Sequence, residues 1–194
     1  MSQLRIRSNA RYILVVEKDA VFNRLLQEKA CERMHAIMVT ARGMPDIATR
    51  ALLQRLTQEL PHTPVVGLFD WNPSGAVILC TYRGLQSKKA RTAVEQQCVA
   101  IGANVRWICA LSGDLTSRPD DELLPLTPRD LVLLRNLQAR MTGLNEDVPW
   151  ATSLLGELAA MARRGRKAEL EALYSAGEDL TPLLAQKIVR QAWI

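Results

Sequence analysis

The chain has 194 residues, 48% apolar and 23% charged, a balance that belongs to a folded globular protein; the length suffices for one well-buried domain and a small appended lobe. No apolar run approaches the roughly 20 residues that span a bilayer, and no long apolar segment follows Arg5, Arg7 and Arg11, so neither a membrane span nor a secretory signal is expected. The net charge of +5 is compatible with a polyanionic partner and, being moderate, equally with a solubility role.

Residues 1–11 are polar and arginine-rich and read as a frayed lead-in or the cut end of a longer protein. The apolar run 12–16 predicts a first strand, and Val21, Phe22, Leu25, Leu26 and Ala30 then recur at helical spacing to about Arg33. Residues 36–40 read as a second strand. Pro45 is placed to start a helix that presents Ile47, Leu52, Leu53, Leu56 and Leu60 before Pro61 ends it. The nearly all-apolar stretch 64–69 predicts a third strand covered on both faces, followed by a helix from Ser74 and Gly75 to about Tyr82.

Residues 83–97 carry Arg83, Lys88, Lys89 and Arg91 and read as a basic loop followed by a helix; residues 104–109 read as a fourth strand and 112–121 as an exposed loop. The alternation of strands and helices implies an α/β fold with a doubly wound, mostly parallel sheet of about four strands. The remainder reads as a helical extension. Thr127 and Asp130 form a capping-box signal around Pro128, helices follow over 128–141, 152–164 and 167–175, and Thr181 with Pro182 begins a last one that runs almost to Trp193. The expected organisation is a lead-in over 1–11, a core over 12–125 and a helical part over 126–194 packed on it. Cys31, Cys80, Cys98 and Cys109 form no Cys-x-x-Cys pair, which argues against zinc and for small core residues in a reducing compartment.

Two strand ends carry acids. Tyr12-Ile13-Leu14-Val15-Val16 stops at Glu17-Lys18-Asp19, and Val65-Val66-Gly67-Leu68-Phe69 stops at Asp70-Trp71-Asn72-Pro73-Ser74-Gly75. If the two strands are parallel neighbours, Glu17, Asp70 and Asn72 meet in one crevice outside the carboxyl ends of the sheet. Three hard oxygen donors without histidine or thiol suit magnesium. Asp, Asn, Pro and Gly also favour turns for their own reasons, so the second stretch reads as a plain turn as well. Arg42 sits on the same rim, either contacting a phosphate or solvated in its turn. Lys88, Lys89 and Arg91 are either a track for a nucleic-acid backbone or a wet surface. Asp46 is placed to stabilise a helix N-terminus, and His35 and His62 lack ligand-like spacing.

The stretches Val15-Val16-Glu17-Lys18-Asp19-Ala20-Val21-Phe22, Thr40-Ala41-Arg42-Gly43-Met44-Pro45-Asp46-Ile47-Ala48-Thr49-Arg50 and Asp70-Trp71-Asn72-Pro73-Ser74-Gly75 resemble, in order and spacing, three consecutive motifs of one family. It is the Toprim domain found in the A subunit of type IIB topoisomerases and in its eukaryotic relative, the meiotic DNA double-strand-break protein. Leu124-Pro125-Leu126-Thr127-Pro128-Arg129-Asp130 and Lys167-Ala168-Glu169-Leu170-Glu171-Ala172-Leu173 are similar to its distal segments, so the resemblance runs nearly end to end.

The resemblance implies Mg2+, with Mn2+ as substitute, held by Glu17, Asp70 and Asn72. In the family it assists a tyrosine of a preceding winged-helix domain that attacks a DNA phosphate and stays joined to the 5′ end. Tyr12, Tyr82 and Tyr174 match no such position, so the expectation is a Toprim portion that does not cut DNA alone. The whole protein is expected to be a type II-like, ATP-dependent enzyme acting on double-stranded DNA in the nucleus, as a homodimer with a B-type ATPase-like partner. Asp70-Trp71-Asn72-Pro73 is more similar to the eukaryotic, particularly the fungal, branch, which favours meiotic break formation over relaxation. The chain departs from the pattern at Asn72, where many members carry a second aspartate, at Ala41 in place of Gly, and at Arg83-Gly84-Leu85-Gln86 in place of Tyr-Gly-Ser. Two other readings stand beside this one: a metal-free binding or dimerisation module of the same fold, and a receiver-type signalling domain.

Overall fold

A computed structural model describes residues 5–85, 103–143, 149–174 and 179–194. Four parallel strands, β1 (Tyr12–Val16), β2 (Ala36–Thr40), β3 (Val65–Leu68) and β4 (Val105–Cys109), lie side by side in the order β2-β1-β3-β4. Ile13 to Val16 and the whole of β3 are buried, as strands covered on both faces require, whereas edge strand β2 is half-buried at Ile37 and Met38. Helices α1 (Asp19–Gln27), α2 (Ala30–Arg33), α3 (Ile47–Glu59) and α4 (Pro73–Tyr82) make the connections. From β1 the chain moves outward to β2, then crosses back to β3 and on to β4. The winding therefore reverses between β1 and β3, where an open α/β sheet leaves a crevice beyond its strand ends.

The second half packs on this sheet. Helix α5 (Pro128–Thr142) opens with the expected capping box: Thr127 Oγ1 accepts from the Asp130 N–H at 3.2 Å, and Asp130 Oδ2 accepts from the Thr127 N–H at 2.9 Å. Helix α6 (Pro149–Arg164) ends at Gly165, whose φ of 64° is the left-handed conformation of a carboxyl-cap glycine. Helix α7 (Leu180–Val189) is bolted to the sheet by buried Lys187, which pairs with Asp114 at 2.6 Å and donates to the Ile108 carbonyl. Beyond it, Ile194 exchanges two backbone hydrogen bonds with Trp107 and covers the β4 edge. Leu134, Leu137, Leu154, Leu158 and Leu184 share one buried cluster with Ile13 and Val66. Cys80 and Cys109 are buried thiols in it, while Cys31 is half-buried. Among the described residues no helix is long and apolar enough to cross a membrane.

Four expectations need correction. The helix after β1 is not continuous to Arg33, because Lys29 adopts φ 55° and splits α1 from α2. Helix α3 starts at Ile47 rather than Pro45, since the Asp46 side chain accepts from the Thr49 N–H at 2.7 Å and so occupies the N-cap; Ile47 and Leu52 face outward, and Arg50 is buried instead. The helix expected over 167–175 is not formed by its described residues, 167–174. The short strand β6 (Arg166–Lys167) pairs antiparallel with β5 (Leu124–Pro125), Ala168 bonds to the Trp71 carbonyl, and only Leu170–Leu173 turns, as one 3-10 turn. The Ala168 N–H is taken by the Trp71 carbonyl in the turn after β3 and Lys167 pairs with Leu124, so tertiary partners override propensity. The last helix ends at Val189, four residues short of Trp193.

Candidate metal centre

The two acids arrive together because their strands are neighbours. Val16 lies opposite Leu68, the Glu17 N–H donates to the Leu68 carbonyl at 3.0 Å, and the Glu17 carboxylate accepts from the Asp70 N–H at 2.9 Å. Asp70 is 4% exposed, and its Oδ1 accepts from the Leu170 N–H at 2.9 Å. The third residue, Asn72, also shapes the backbone, since its Oδ1 accepts from the Gly75 N–H at 2.7 Å and caps α4, with Pro73 in the first turn. Gly75 is required there, because a Cβ at that position would stand 2.3 Å from the Asp70 carbonyl oxygen. Turn and ligand readings of this stretch are thus compatible, since an amide oxygen that accepts one N–H keeps a second lone pair.

Electrostatics mark the crevice as a place built for positive charge. Burial, reinforced by the negative charge of Asp70, pushes the Glu17 carboxyl up to about 7. Burial also raises Asp70, against the opposing pull of the Leu170 N–H and of Lys18. Lys18 stands in the middle. Its Nζ lies 3.3 Å from Asp70 Oδ2, 2.9 Å from Glu171 Oε2 and 3.3 Å from Glu169 Oε2. Although burial lowers the Lys18 pKa, the Glu171 hydrogen bond and the Asp70 charge raise it above the ordinary lysine value. The turn itself is held from behind by Glu157, whose carboxylate accepts the Trp71 indole N–H at 2.7 Å, the Ser112 N–H at 2.7 Å and the Ser112 hydroxyl at 2.9 Å.

The donor set fits a hard divalent cation in kind: two carboxylates and an amide oxygen, with no thiol or imidazole. It is spare in charge. Among the described residues no three His, Cys, Asp or Glu side chains group as a metal site, and the third donor beside Glu17 and Asp70 is the amide of Asn72. Of the candidate DNA contacts, Arg42 lies on the same rim just beyond β2, its side chain 76% exposed, with Nε 3.2 Å from Asp19 Oδ1. Lys88, Lys89 and Arg91, like Cys98, lie outside the described residues.

Sequence reasoning missed Lys18, Glu169, Glu171 and Glu157. For the pair of glutamates the signal was no more than two acids flanking Leu170, Glu169 just before the 3-10 turn and Glu171 within it; a helical reading of the same letters hides it.

The family model for the Toprim domain of Spo11 and the topoisomerase 6 A subunit matches residues 12–188, nearly the whole chain and every element of the crevice. The chain belongs to this family. Among its relatives, the rice meiotic recombination protein SPO11-2 is 39% identical over 195 residues, covering 100% of this chain and 48% of the rice protein. Human meiotic recombination protein SPO11 is 34% identical, covering 96% of this chain and 46% of the human one, and the rice A3 subunit of DNA topoisomerase 6 is 35% identical, covering 97% and 41%. The chain spans about half the length of the curated relatives it matches. The α/β Toprim fold and the kinship with Spo11 and the topoisomerase A subunit expected from the three motifs both hold, and the receiver-type alternative falls with them.

Proposed function

We propose that this chain is the metal-binding Toprim portion, with a core over 12–125 and the helical residues 126–194 packed on it, of a topoisomerase-like DNA transesterase that makes the double-strand breaks that initiate meiotic recombination. One observation carries the reading: Glu17 and Asp70 end adjacent parallel strands at the reversal of winding, joined by the Asp70 N–H to Glu17 hydrogen bond. Glu17, Asp70 and Asn72 would hold Mg2+, or Mn2+ in its place. When bound, the ion supplies a positive charge that offsets charge developing on a DNA phosphate. The protein's own part is positioning: Leu170 orients the Asp70 carboxylate, Glu157 fixes Trp71, and the Asn72 cap sets the turn.

The nucleophile comes from outside these residues. Tyr12 begins β1 at the end opposite Glu17, Tyr82 is 2% exposed, and the Tyr174 ring lies under the Arg24 guanidinium at 4.2 Å. The chain alone does not cut DNA; the transesterase is a type II-like topoisomerase whose ATP is used by a B-type ATPase-like partner, and it works in the nucleus as a homodimer on double-stranded DNA. Arg42 contacts the DNA backbone, with Lys88, Lys89 and Arg91 extending the track.

Crystals grown with Mn2+ test this directly. Anomalous density among Glu17, Asp70 and Asn72 is expected; an empty crevice at millimolar-scale Mn2+ overturns the metal-dependent reading in favour of the second one, a metal-free binding and dimerisation module, which the Lys18 contact to Asp70 favours.

A further inference from the structure

Resting on that reading, we propose that Lys18 is a built-in counter-cation of the crevice: its ammonium holds Asp70 in the metal-free protein, and Glu169 and Glu171 take it over entirely when a divalent cation binds. A single ammonium reaches three carboxylates from two distant parts of the chain. Asp70 lies beyond β3, whereas Glu169 and Glu171 belong to the segment that runs past the crevice after β6. That segment is fixed in place by backbone, with Ala168 N–H on the Trp71 carbonyl and Leu170 N–H on Asp70 Oδ1. The two glutamates are therefore placed relative to Asp70 by the same residues that orient it.

An ammonium 3.3 Å from a metal-ligating oxygen opposes a divalent cation on the other side of that oxygen, because like charges a few ångströms apart repel strongly in a partly desolvated site. The shorter contact is already to Glu171, at 2.9 Å, and the Lys18 side chain keeps 24% of its exposure, so its flexible stem allows the shift without breaking the fold. Lys18 is thus a positioning residue that sets metal affinity, and Glu169 with Glu171 is the place where it is held aside.

Mn2+ affinity, read from the free-ion electron paramagnetic resonance signal, tests this in the 194-residue chain through a mutant cycle. Lys18→Met is expected to bind Mn2+ about tenfold more tightly than the native chain, and Lys18→Arg, which keeps the charge, to bind as the native chain does. The double variant Glu169→Gln/Glu171→Gln is expected to bind more weakly, and that loss is expected to shrink in the Lys18→Met background, where no ammonium needs holding. Removing a merely structural lysine would not tighten binding. Native-like or weaker binding by a folded Lys18→Met, with the native chain binding normally, overturns this inference and leaves the metal site standing; melting curves establish the fold of each variant. Absence of binding in every variant, the native chain included, overturns the metal site and this inference together.

Discussion

Glu17 is the group in the crevice whose ionisation the fold opposes most clearly. In the unfolded chain it ionises near the ordinary 4.5, and in the folded chain near 7. The folded state therefore holds the proton more tightly, and the stability this contributes is present at low pH and lost as pH climbs from about 4.5 to about 7. Replacing Glu17 by Gln keeps an oxygen for the Asp70 N–H and removes the charge. The metal-free Glu17→Gln chain is accordingly expected to be more stable than the native chain at pH 7.5, by about 1–2 kcal/mol, and to show a flatter stability profile between pH 5 and 7.5 while losing Mn2+ affinity. Urea titrations across that range check it, and equal profiles for the two proteins would show that Glu17 ionises at no cost. A residue that destabilises its own fold when charged is what a site awaiting a cation contains.

At the scale of elements, the turn between β3 and α4 has to cap a helix and present Asp70 at once. Asn72 separates the two roles experimentally. Asn72→Ala removes the cap and is expected to cost about 1 kcal/mol with weaker Mn2+ binding, whereas Asn72→Asp keeps the cap and adds a carboxylate, so its binding should tighten at nearly unchanged stability. Calorimetry and thermal melts on both variants read this, and identical affinities for Asn72, Asp and Ala at this position would remove it from the ligand set. This scale also shows what the letters of the sequence could convey. β1 and β3 were readable because strands buried on both faces are continuous apolar runs, and the acids at their ends were readable because a run stops abruptly there. The segment after Gly165 was not readable: Lys167-Ala168-Glu169-Leu170-Glu171 has helical composition, and only the backbone partners Leu124 and Trp71, far earlier in the chain, hold Lys167 and Ala168 extended ahead of the 3-10 turn. Lys18 was in plain view beside Glu17, but its role depends on acids that this misread segment supplies. Asp46 was placed correctly at a helix start, yet through a direct N-cap hydrogen bond rather than the macrodipole alone.

For the whole molecule, the sheet and the last helices are tied together, since residues from β1 to α7 share a core and the terminal Ile194 is bonded to β4. The rim that carries the crevice also carries Arg42, exposed and paired at the surface with Asp19, a contact of the kind that contributes little. If that rim is the DNA face, Arg42→Gln is expected to weaken binding to duplexes of any sequence by a similar factor and to reduce the slope of log affinity against log salt by about 1. An unchanged slope dismisses Arg42 as a phosphate contact.

Every role assigned to the crevice depends on the cation. Calorimetric titration of Mg2+ and Mn2+ into the 194-residue chain, beside Asp70→Ala, measures it most directly. Saturable binding by the native chain that disappears in Asp70→Ala is the predicted result. Binding that survives in a folded Asp70→Ala, or heat from neither protein, would contradict a metal centre at the reversal of the sheet.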